Sequence, residues 1–251
     1  MSRLALVIGG GSGLGKASAE ALAAQDYHVA VADLSLEAAR ATTAGLSGGD
    51  HRAFAVDVAD EASVEGLFDT VEAELGPVSV MANFAGLLIA QDGARIGLMH
   101  TSLEDWERSF AVNARGCFLV IREMLRRRRD NPLPHGRIIT VSSLAGQIGG
   151  VRGSAAYAAA KGAVLTLTKT AAREGGPIGV TANALAPGMI DTPMLRLVLS
   201  PAEETTALAS LPVGRVGQPL EIAHAITFLA SEQSGFMTGA TLDINGGHYM
   251  R

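Results

Sequence analysis

A glycine-rich turn near the amino terminus constrains the fold of this chain more than any other feature. The run Leu4–Ile8 that precedes it is wholly apolar, as expected for a strand buried on both faces. Residues 9–15 (G-G-G-S-G-L-G) form the turn, and an alanine-rich stretch from Lys16 to about Ala24 then predicts a helix. Glycines let the backbone turn tightly and approach a pyrophosphate, whose charge the helix N-terminus stabilises. This order predicts a dinucleotide-binding βα unit.

An acidic residue follows the second predicted strand. Asp33 comes directly after the apolar run of residues 28–32 and lies 18 residues beyond the last glycine of the turn. An acid at this distance is expected to bind the adenosine ribose hydroxyls and to repel a 2′-phosphate, and neither position 12 nor position 34 carries a Lys or Arg that would attract one. The pattern predicts NAD over NADP. The alternative is a surface Asp that caps the next helix, for which Ser35 is a rival.

Predicted strands and helices alternate along the rest of the chain. Further strands are predicted at residues 53–56, 78–82, 137–141, 180–184 and 241–244, and helices at residues 103–126, 157–173 and 219–230. This alternation predicts an α/β fold with a Rossmann-like, doubly wound parallel sheet and helices on both faces. No linker or repeat interrupts it, so residues 1–251 are predicted to form a single dinucleotide-binding and catalytic domain. Polar and glycine residues follow the strands, at the edge where such sheets bind ligands.

Tyr157 and Lys161 are spaced to share one face of a helix. The alanines between them favour helix, and side chains at i and i+4 are neighbours on a helix surface. A phenol normally titrates near ~10, and a nearby ammonium lowers its pKa. The pair is therefore suited to proton transfer near neutral pH. The alternative is a surface helix in which the two residues fall in register by chance.

Composition narrows the classes of function. The net charge of −5 gives no reason to expect nucleic acid, and no uncharged apolar stretch is long enough to span a membrane. The single cysteine, Cys117, fits a reducing compartment, and no signal peptide is recognisable, so we expect a cytoplasmic protein. The six histidines are scattered with no ligand spacing, so no metal site is expected.

The ordered set of motifs resembles the short-chain dehydrogenase/reductase family. The resemblance extends from Leu4 to Gly247 and rests on the glycine turn, Asp33, Asp57, residues 83–86, Asn113, Ser143, Tyr157 with Lys161, Pro187 with Gly188, and Thr192. It implies a Rossmann-like sheet and an oligomer, for which a homotetramer is expected. Two positions depart from the family pattern: Ile8 stands where the family usually has Thr, and Phe84 where it usually has a second Asn.

The resemblance also implies a catalytic group. Tyr157 would be the general acid/base, and Lys161 would bind the nicotinamide ribose and lower the pKa of the tyrosine. Ser143 would hydrogen-bond the substrate oxygen, and Asn113 would hold a water in a proton relay. The cofactor-binding residues predicted from the motifs and the resemblance are Gly9, Ser12, Gly13, Leu14, Gly15, Asp33, Leu34, Asp57, Val58, Asn83, Ala85, Gly86, Tyr157, Lys161, Pro187, Gly188, Ile190 and Thr192.

Two lengthened segments are expected to influence the choice of substrate. Residues 86–106 and 126–135 are similar to the NAD-dependent 3-hydroxyacyl-CoA dehydrogenases of the family, and methionines after Pro187 suggest an adaptable apolar lid. Residues 126–129 are four arginines, which could meet the phosphate of a coenzyme A or carrier-protein substrate. A solvated helix end is the other interpretation of that run.

Three classes of function remain open. The leading one is an NAD(H)-dependent oxidoreductase that interconverts a secondary alcohol and a ketone on an apolar substrate. Within it, a 3-hydroxyacyl or 3-oxoacyl thioester of coenzyme A or acyl carrier protein competes with a free alcohol. The second class is a non-catalytic dinucleotide sensor, which has no need of an activated phenol. The third is an isomerase or dehydratase on the same fold.

Overall fold

A central parallel sheet dominates the structure, a computed structural model that describes residues 3–91, 93–150, 154–209 and 211–250. The strands are β1 (Leu4–Ile8), β2 (His28–Asp33), β3 (Arg52–Ala55), β4 (Val78–Asn83), β5 (Ala90–Gln91), β6 (Ala94–Arg95), β7 (Gly136–Val141), β8 (Val180–Pro187) and β9 (Thr241–Ile244). Seven of them form the sheet in the order β3-β2-β1-β4-β7-β8-β9, while β5 and β6 pair as a separate antiparallel hairpin.

Helices connect the strands. They are α1 (Gly13–Ala23), α2 (Leu36–Thr43), α3 (Glu61–Leu75), α4 (Leu103–Phe110), α5 (Gly116–Asp130), α6 (Ala145–Ile148), α7 (Ala155–Gly175), α8 (Pro193–Arg196), α9 (Pro201–Leu208) and α10 (Pro219–Ala230). Within the described residues, no helix is both long and apolar enough to cross a membrane.

Each face of the sheet is covered by its own hydrophobic core. Alternate residues of β1 face opposite ways, so Leu6 packs in the cluster that holds Phe68 of α3, whereas Val7 packs in the cluster that holds Leu22 of α1 and Ile226 of α10. All of these side chains are almost fully buried. Burial of each large apolar side chain contributes roughly 1.5–3 kcal/mol, which explains why β1 is apolar at every position.

The chain order of the strands reverses beside β1. Leu6 pairs with Ala30 of β2 on one side and with Met81 of β4 on the other. Connections from β1 therefore lead to one half of the sheet, and connections from β4 lead to the other half. In such sheets a crevice opens at the carboxyl ends of the strands at this point, and ligands bind there. The predicted Rossmann-like α/β fold is confirmed.

Several predicted elements have the bounds that the sequence suggested. This is so for β1, β9 and α10, while β8 continues three residues beyond the predicted end. The first helix begins at Gly13 rather than Lys16, because the helix already starts inside the glycine turn.

The long helix predicted at residues 103–126 is interrupted. Residues Ala111–Arg115 form a π-helical turn between α4 and α5, and Asn113 lies at its centre. The side-chain amide of Asn113 donates to the backbone carbonyl of Ser109 at 2.9 Å. That carbonyl is the one that an α-helix would pair with the Asn113 N–H, so the side chain competes for it and the helix widens locally.

Candidate active site

A cavity of about 960 Å³ opens at the carboxyl ends of the strands. It is lined by nearly all the residues predicted to bind the cofactor or to act in catalysis: Gly9, Ser12, Gly13, Leu14, Gly15, Asp33, Leu34, Asp57, Val58, Ala85, Gly86, Ser143, Tyr157, Lys161, Pro187, Gly188, Ile190 and Thr192. Two predicted residues, Asn83 and Asn113, are buried behind its wall.

Two glycines of the turn, Gly9 and Gly15, have no room for a side chain. A Cβ atom on Gly9 would lie 2.6 Å from the backbone nitrogen of Ala85, and one on Gly15 would lie 2.1 Å from the carbonyl oxygen of Gly9. Gly9 also has a φ of +76°, which other residues rarely adopt. These glycines bring β1, β4 and α1 together, and they leave a bare backbone surface on the cavity.

The N-terminus of α1 faces this surface. Its N-cap residue Ser12 is extended, and the Ser12 side chain makes no capping hydrogen bond to the first turn. The first-turn N–H groups and the positive end of the helix dipole are therefore suited to an anion. Together with the glycine cradle, this arrangement fits the pyrophosphate of a dinucleotide.

At the two positions that depart from the family pattern, backbone hydrogen bonds join the strand ends. The N–H of Phe84 donates to the carbonyl of Ile8 at 2.8 Å, and the N–H of Gly9 donates to that of Ala32 at 2.8 Å. Ile8 is fully buried, and Phe84 packs against the neighbouring core. Main-chain hydrogen bonds thus hold the strand ends together without the family's threonine and second asparagine.

Asp33 faces the cavity from the end of β2. One carboxylate oxygen accepts the N–H of Gly11 at 2.8 Å, and the other accepts the N–H of Ser35 at 3.1 Å. The N-cap of α2 is Ser35, whose hydroxyl accepts from the N–H of Ala38. Asp33 is therefore not the helix cap, and its side chain supports the glycine turn instead. The adjacent Leu34 is largely exposed.

Asp57 and Asn83 shape the turns that follow β3 and β4. The Asp57 carboxylate accepts the N–H of Ala59 at 2.8 Å, and Asn83 Oδ1 accepts the N–H of Ala85 at 3.1 Å. Val58 lines the cavity beside Asp57. Asn83 therefore affects the predicted cofactor site indirectly, because it fixes the backbone conformation of Ala85.

Ser143, Tyr157 and Lys161 meet where β7 and α7 border the cavity. Ser143 and Tyr157 both line the cavity, and the Ser143 hydroxyl is near enough to lower the pKa of the Tyr157 phenol. Lys161 Nζ lies 5.7 Å from the centre of the Tyr157 ring and donates to the carbonyl of Val141 at 2.8 Å. The preceding serine, Ser142, is buried, and its hydroxyl donates to the backbone carbonyl of Lys161 at 2.7 Å.

Burial changes the proton affinities of this group. It lowers the pKa of Lys161 from 10.5 to about 8. It raises the pKa of Tyr157, against the opposing effects of the Ser143 hydroxyl and the positive charge of Arg95. The net direction for Tyr157 is thus opposite to the lowering expected from a nearby ammonium. The Lys161 ammonium is bonded to a backbone carbonyl, and burial of the phenol dominates.

Asn113 has protein partners for both parts of its amide. Its Oδ1 accepts the N–H of Leu87 at 3.0 Å, and its Nδ2 donates to the carbonyls of Leu87 and Ser109 at 2.8 and 2.9 Å. The side chain therefore fixes the segment after Gly86 against the π-helical turn. A Cβ on Gly86 would lie 3.2 Å from Asn113 Oδ1 and 3.3 Å from Lys161 Nζ, so this glycine lets both polar atoms approach the cavity wall.

The segment after β8 closes the cavity on the side of the glycine turn. Thr192 caps α8 by accepting the N–H of Leu195 at 3.3 Å, and a Cβ on Gly13 would lie 3.5 Å from its methyl carbon. Met189 and Met194, which were expected to form an apolar lid, line the cavity here. The predicted residues of this segment thus face the glycine turn directly.

Three lining residues with basic side chains were not predicted from the sequence: Arg95 on the hairpin, Arg108 on α4, and His248 near the C-terminus. The dipeptide Asp92-Gly93 is a strong sequence signal for a two-residue hairpin turn and could have revealed the hairpin. Residue 92 lies outside the described residues. No local pattern marks Arg108 or His248 as facing a ligand.

The four arginines lie at the other end of the molecule. They end α5, which leads to the amino end of β7, whereas the cavity is at the carboxyl ends. Arg127 pairs with Asp69 at 2.6 Å and with Glu123 at 2.8 Å. Arg128 is fully buried and pairs with Glu72. Neither phosphate binding at the active site nor a purely solvated helix end fits this arrangement.

Comparison with known proteins agrees with this geometry. Residues 9–249 match the protein family described as Enoyl-(Acyl carrier protein) reductase. The chain is 39% identical over 259 residues to the (3R)-3-hydroxyacyl-CoA dehydrogenase of Canis lupus familiaris, with 99% of this chain and 97% of the relative covered. It is 38% identical over 252 residues to the 3-oxoacyl-[acyl-carrier-protein] reductase of Escherichia coli (strain K12), with coverage of 99% and 98%. The chain therefore belongs to the short-chain dehydrogenase/reductase family.

Proposed function

We propose that this oxidoreductase uses NAD(H) to interconvert a secondary alcohol and a ketone, with Tyr157 as the general acid/base. The observation that carries the proposal is the meeting of Tyr157, Ser143 and Lys161 on one wall of a cavity whose other wall is the glycine turn. The choice of NAD over NADP rests on Asp33, because a carboxylate at that place repels a 2′-phosphate.

The roles of the residues follow from their surroundings. The nicotinamide ring of the cofactor, when bound, supplies or accepts the hydride. Ser143 and Tyr157 present neighbouring hydroxyls that can bind the substrate oxygen between them. Because burial raises the pKa of Tyr157, the phenol is protonated at neutral pH and suited to donate its proton to a ketone. In the direction of alcohol oxidation the phenol must first lose that proton, and this direction is expected to gain rate as the pH rises.

Substitution of Tyr157 tests the chemistry. Tyr157→Phe removes only the proton-transferring oxygen and is expected to lower kcat at least about 100-fold for ketone reduction. NADH binding, measured by fluorescence, is expected to persist. Tyr249→Phe, the same change outside the cavity, should leave kcat unchanged. A Tyr157→Phe turnover within tenfold of wild type would rule out the assignment.

The same measurement separates the other classes of function. A non-catalytic sensor would bind NADH yet show no change in NADH absorbance with any alcohol or ketone. An isomerase or dehydratase would convert substrate without net change in NADH. The presence of both Ser143 and Tyr157 on the cavity wall favours the oxidoreductase, since a sensor needs no phenol there.

Acyl thioesters are the second candidate class of substrate. The relatives include a 3-hydroxyacyl-CoA dehydrogenase and a 3-oxoacyl-[acyl-carrier-protein] reductase, and apolar side chains line much of the cavity. Reduction of a 3-oxoacyl thioester and of the matching simple ketone, compared by kcat/KM, would decide between the two. A higher kcat/KM for the thioester would show that this chain shares a substrate class, as well as a family, with these relatives.

We also propose that the chain forms a homotetramer and works as one catalytic domain in the cytoplasm. Leu220, Phe228 and Phe236 expose large apolar surfaces, which supports contact with another subunit. Cys117 is a buried free thiol, in keeping with a reducing compartment. Light scattering of the purified protein tests the subunit number, and a monomer at micromolar concentration would rule out the tetramer.

A further inference from the structure

Ser154 directly precedes α7, the helix that carries Tyr157 in its first turn. Both residues line the cavity. The N–H of Ser154 donates to the carbonyl of Ile96, which follows the β5–β6 hairpin, at 2.7 Å, and the Ser154 carbonyl accepts the N–H of Ala158 at 2.9 Å. These two backbone hydrogen bonds fix Ser154 between the hairpin and the helix that bears the proposed general acid/base.

The backbone of Ser154 is left-handed, with a φ of +63° and a ψ of +48°. A residue with a Cβ atom is disfavoured in this conformation, because the Cβ approaches the following carbonyl oxygen. Strained residues of this kind concentrate at active sites and ligand-binding segments. Glycine adopts the same conformation freely, so a serine at this place points to a use for its side chain.

The Ser154 hydroxyl does not serve the helix. A serine before a helix normally accepts a hydrogen bond from an N–H of the first turn, but Ser154 makes no such bond. The residue is only 8% exposed, and within the part of the chain that the structure describes its Oγ has no hydrogen-bond partner. A buried hydroxyl without a partner is costly. Rotation about the Cα–Cβ bond breaks no hydrogen bond, so the hydroxyl can turn towards a group bound in the cavity.

Ser154 adds a third hydroxyl to the catalytic end of the cavity. Ser143 and Tyr157 already provide two hydroxyls for the reacting oxygen of the substrate, so the third is suited to a different oxygen. Many of the side chains that line the cavity are apolar, among them Leu88 and Met194. In such surroundings a hydrogen bond is strong, and a ligand that leaves the hydroxyl unpaired binds poorly.

We propose that Ser154 is a specificity-determining residue whose hydroxyl binds a second oxygen atom of the substrate. The preferred substrate is then a diketone or hydroxyketone rather than a ketone with one oxygen. This inference rests on the function proposed above and names the class of substrate for the same site. The second oxygen accepts from Ser154 while the reacting carbonyl lies between Ser143 and Tyr157.

The test compares substrates of one carbon skeleton that differ in the second oxygen. The probes are 2-hexanone and 2,3-, 2,4- and 2,5-hexanedione, which all carry a methyl ketone. Reduction takes a hydride from NADH and a proton from Tyr157, and it turns each dione into a hydroxyketone. We expect wild type to prefer one dione to 2-hexanone. Ser154→Ala should lower kcat/KM for that dione about tenfold and for 2-hexanone less than threefold.

Two further variants separate the hydroxyl from the backbone. Ser154→Gly relieves the left-handed strain, so it should raise the urea midpoint of unfolding and still lose the preference for the dione. The control is Ser79→Ala, at a buried serine of β4 that does not line the cavity and donates to the carbonyl of Leu4 at 2.9 Å. It should lower the urea midpoint and leave the preference unchanged.

Other outcomes overturn the inference. If Ser154→Ala lowers kcat/KM equally for the dione and for 2-hexanone, Ser154 only shapes the start of α7. If Ser154→Gly or Ser154→Ala keeps the full preference, the hydroxyl does not touch the substrate. If wild type reduces 2-hexanone at least as well as every dione, the second-oxygen site is wrong while the proposed function stands.

Failure of the proposed function gives a different result. If wild type reduces none of the probes with NADH, the proposed function fails, and binding then decides the inference. Saturation-transfer NMR in the presence of NADH should show tighter binding of one dione than of 2-hexanone, with the difference lost in Ser154→Ala. Equal binding of the probes, no binding at all, or a difference that survives the substitution would contradict it.

Discussion

At the scale of single residues, the buried ammonium of Lys161 is held at a cost to stability. Burial brings its pKa down to about 8, so at neutral pH the folded protein keeps a charge that its surroundings disfavour. The donated hydrogen bond to Val141 offsets only part of this. Such a residue is expected where function, rather than stability, selects the side chain.

The pH dependence of stability tests this. The folded pKa of Lys161 is about 8 against 10.5, so in that window the unfolded state binds more protons and wild-type stability rises with pH. Any stability advantage of Lys161→Met, measured by urea unfolding, should therefore be smaller at pH 9.5 than at pH 7 by roughly 2 kcal/mol. Lys169→Met, an exposed lysine of the same helix, should show no such change. An equal difference at both pH values would contradict the buried charge.

Asp33 is a second single residue with a large expected effect, because its carboxylate is expected to select NAD over NADP. Asp33→Ser combined with Leu34→Arg removes the negative charge and adds a positive one where a 2′-phosphate would lie. The ratio of kcat/KM for NADH to that for NADPH is expected to fall at least about 100-fold. Glu37→Ser, which removes an exposed carboxylate from α2, should leave the ratio unchanged. A double variant that still prefers NADH would show that Asp33 does not select the cofactor.

At the scale of elements, the glycine turn and the π-helical turn each fix the position of a backbone segment in the cavity wall. The glycine turn achieves this by close approach, since a Cβ on Gly15 would collide with the Gly9 carbonyl. The π-helical turn achieves it through Asn113, which bonds to the backbone on both sides of the segment. Loss of either element is expected to move groups that line the cavity without changing a catalytic side chain.

Two glycine-to-alanine substitutions distinguish glycines that are needed for close backbone contact from glycines that merely lower helix propensity. Gly15→Ala is expected to weaken NADH binding at least tenfold and to lower the free energy of unfolding by about 1–3 kcal/mol, because α1 must move away from β1. Gly66→Ala, in the exposed middle of α3 where a Cβ meets nothing within 4 Å, should stabilise the protein by about 0.5–1 kcal/mol. Equal effects of the two substitutions would contradict the role of the turn.

At the scale of the whole molecule, the side chains at the two ends of the strands differ in chemistry. The cavity lies at the carboxyl ends of the strands. Near their amino ends, the end of α5 carries arginines that are paired with acidic residues of α3. Arg128 is fully buried there, and its pairing with Glu72 joins the two helices. A buried ion pair of this kind contributes little net stability, but removal of one partner leaves an uncompensated charge.

Unequal effects of the two partners are therefore expected. Glu72→Gln should lower the free energy of unfolding by about 3–5 kcal/mol, because it leaves the charge of the fully buried Arg128 uncompensated. Arg128→Met should cost much less, because Glu72 is partly exposed and keeps Arg127 as a partner at 3.5 Å; both are measured by urea unfolding. Arg129→Met serves as the control and should show no measurable change, because Arg129 is exposed and its salt bridge within the described part of the chain is with its neighbour Asp130. Equal losses for Glu72→Gln and Arg128→Met would mean that the pair stabilises the fold outright.

Local patterns in the sequence were enough to predict much of this molecule. Apolar runs and glycine turns depend on near neighbours in the chain, so β1, the glycine turn and the alternation of elements could be predicted directly. The order of the motifs then indicated the family, and most of the predicted site residues do line one cavity. Their roles in binding and catalysis stay predictions.

Only the tertiary structure decided what depends on distant neighbours. Burial by other elements sets the direction of the Tyr157 pKa and turns Arg128 inward, and no local pattern carries that information. The hydrogen bonds of Asn113 to Leu87 and Ser109 produce the π-helical turn, which helical periodicity does not reveal. The hairpin that brings Arg95 to the cavity is held there by a hydrogen bond from Ser154 to Ile96, 58 residues apart in the chain. The local order of side chains along the chain thus determined the fold class. Packing between segments that are distant in the chain decided which charged groups line the active site and how burial shifts their pKa values.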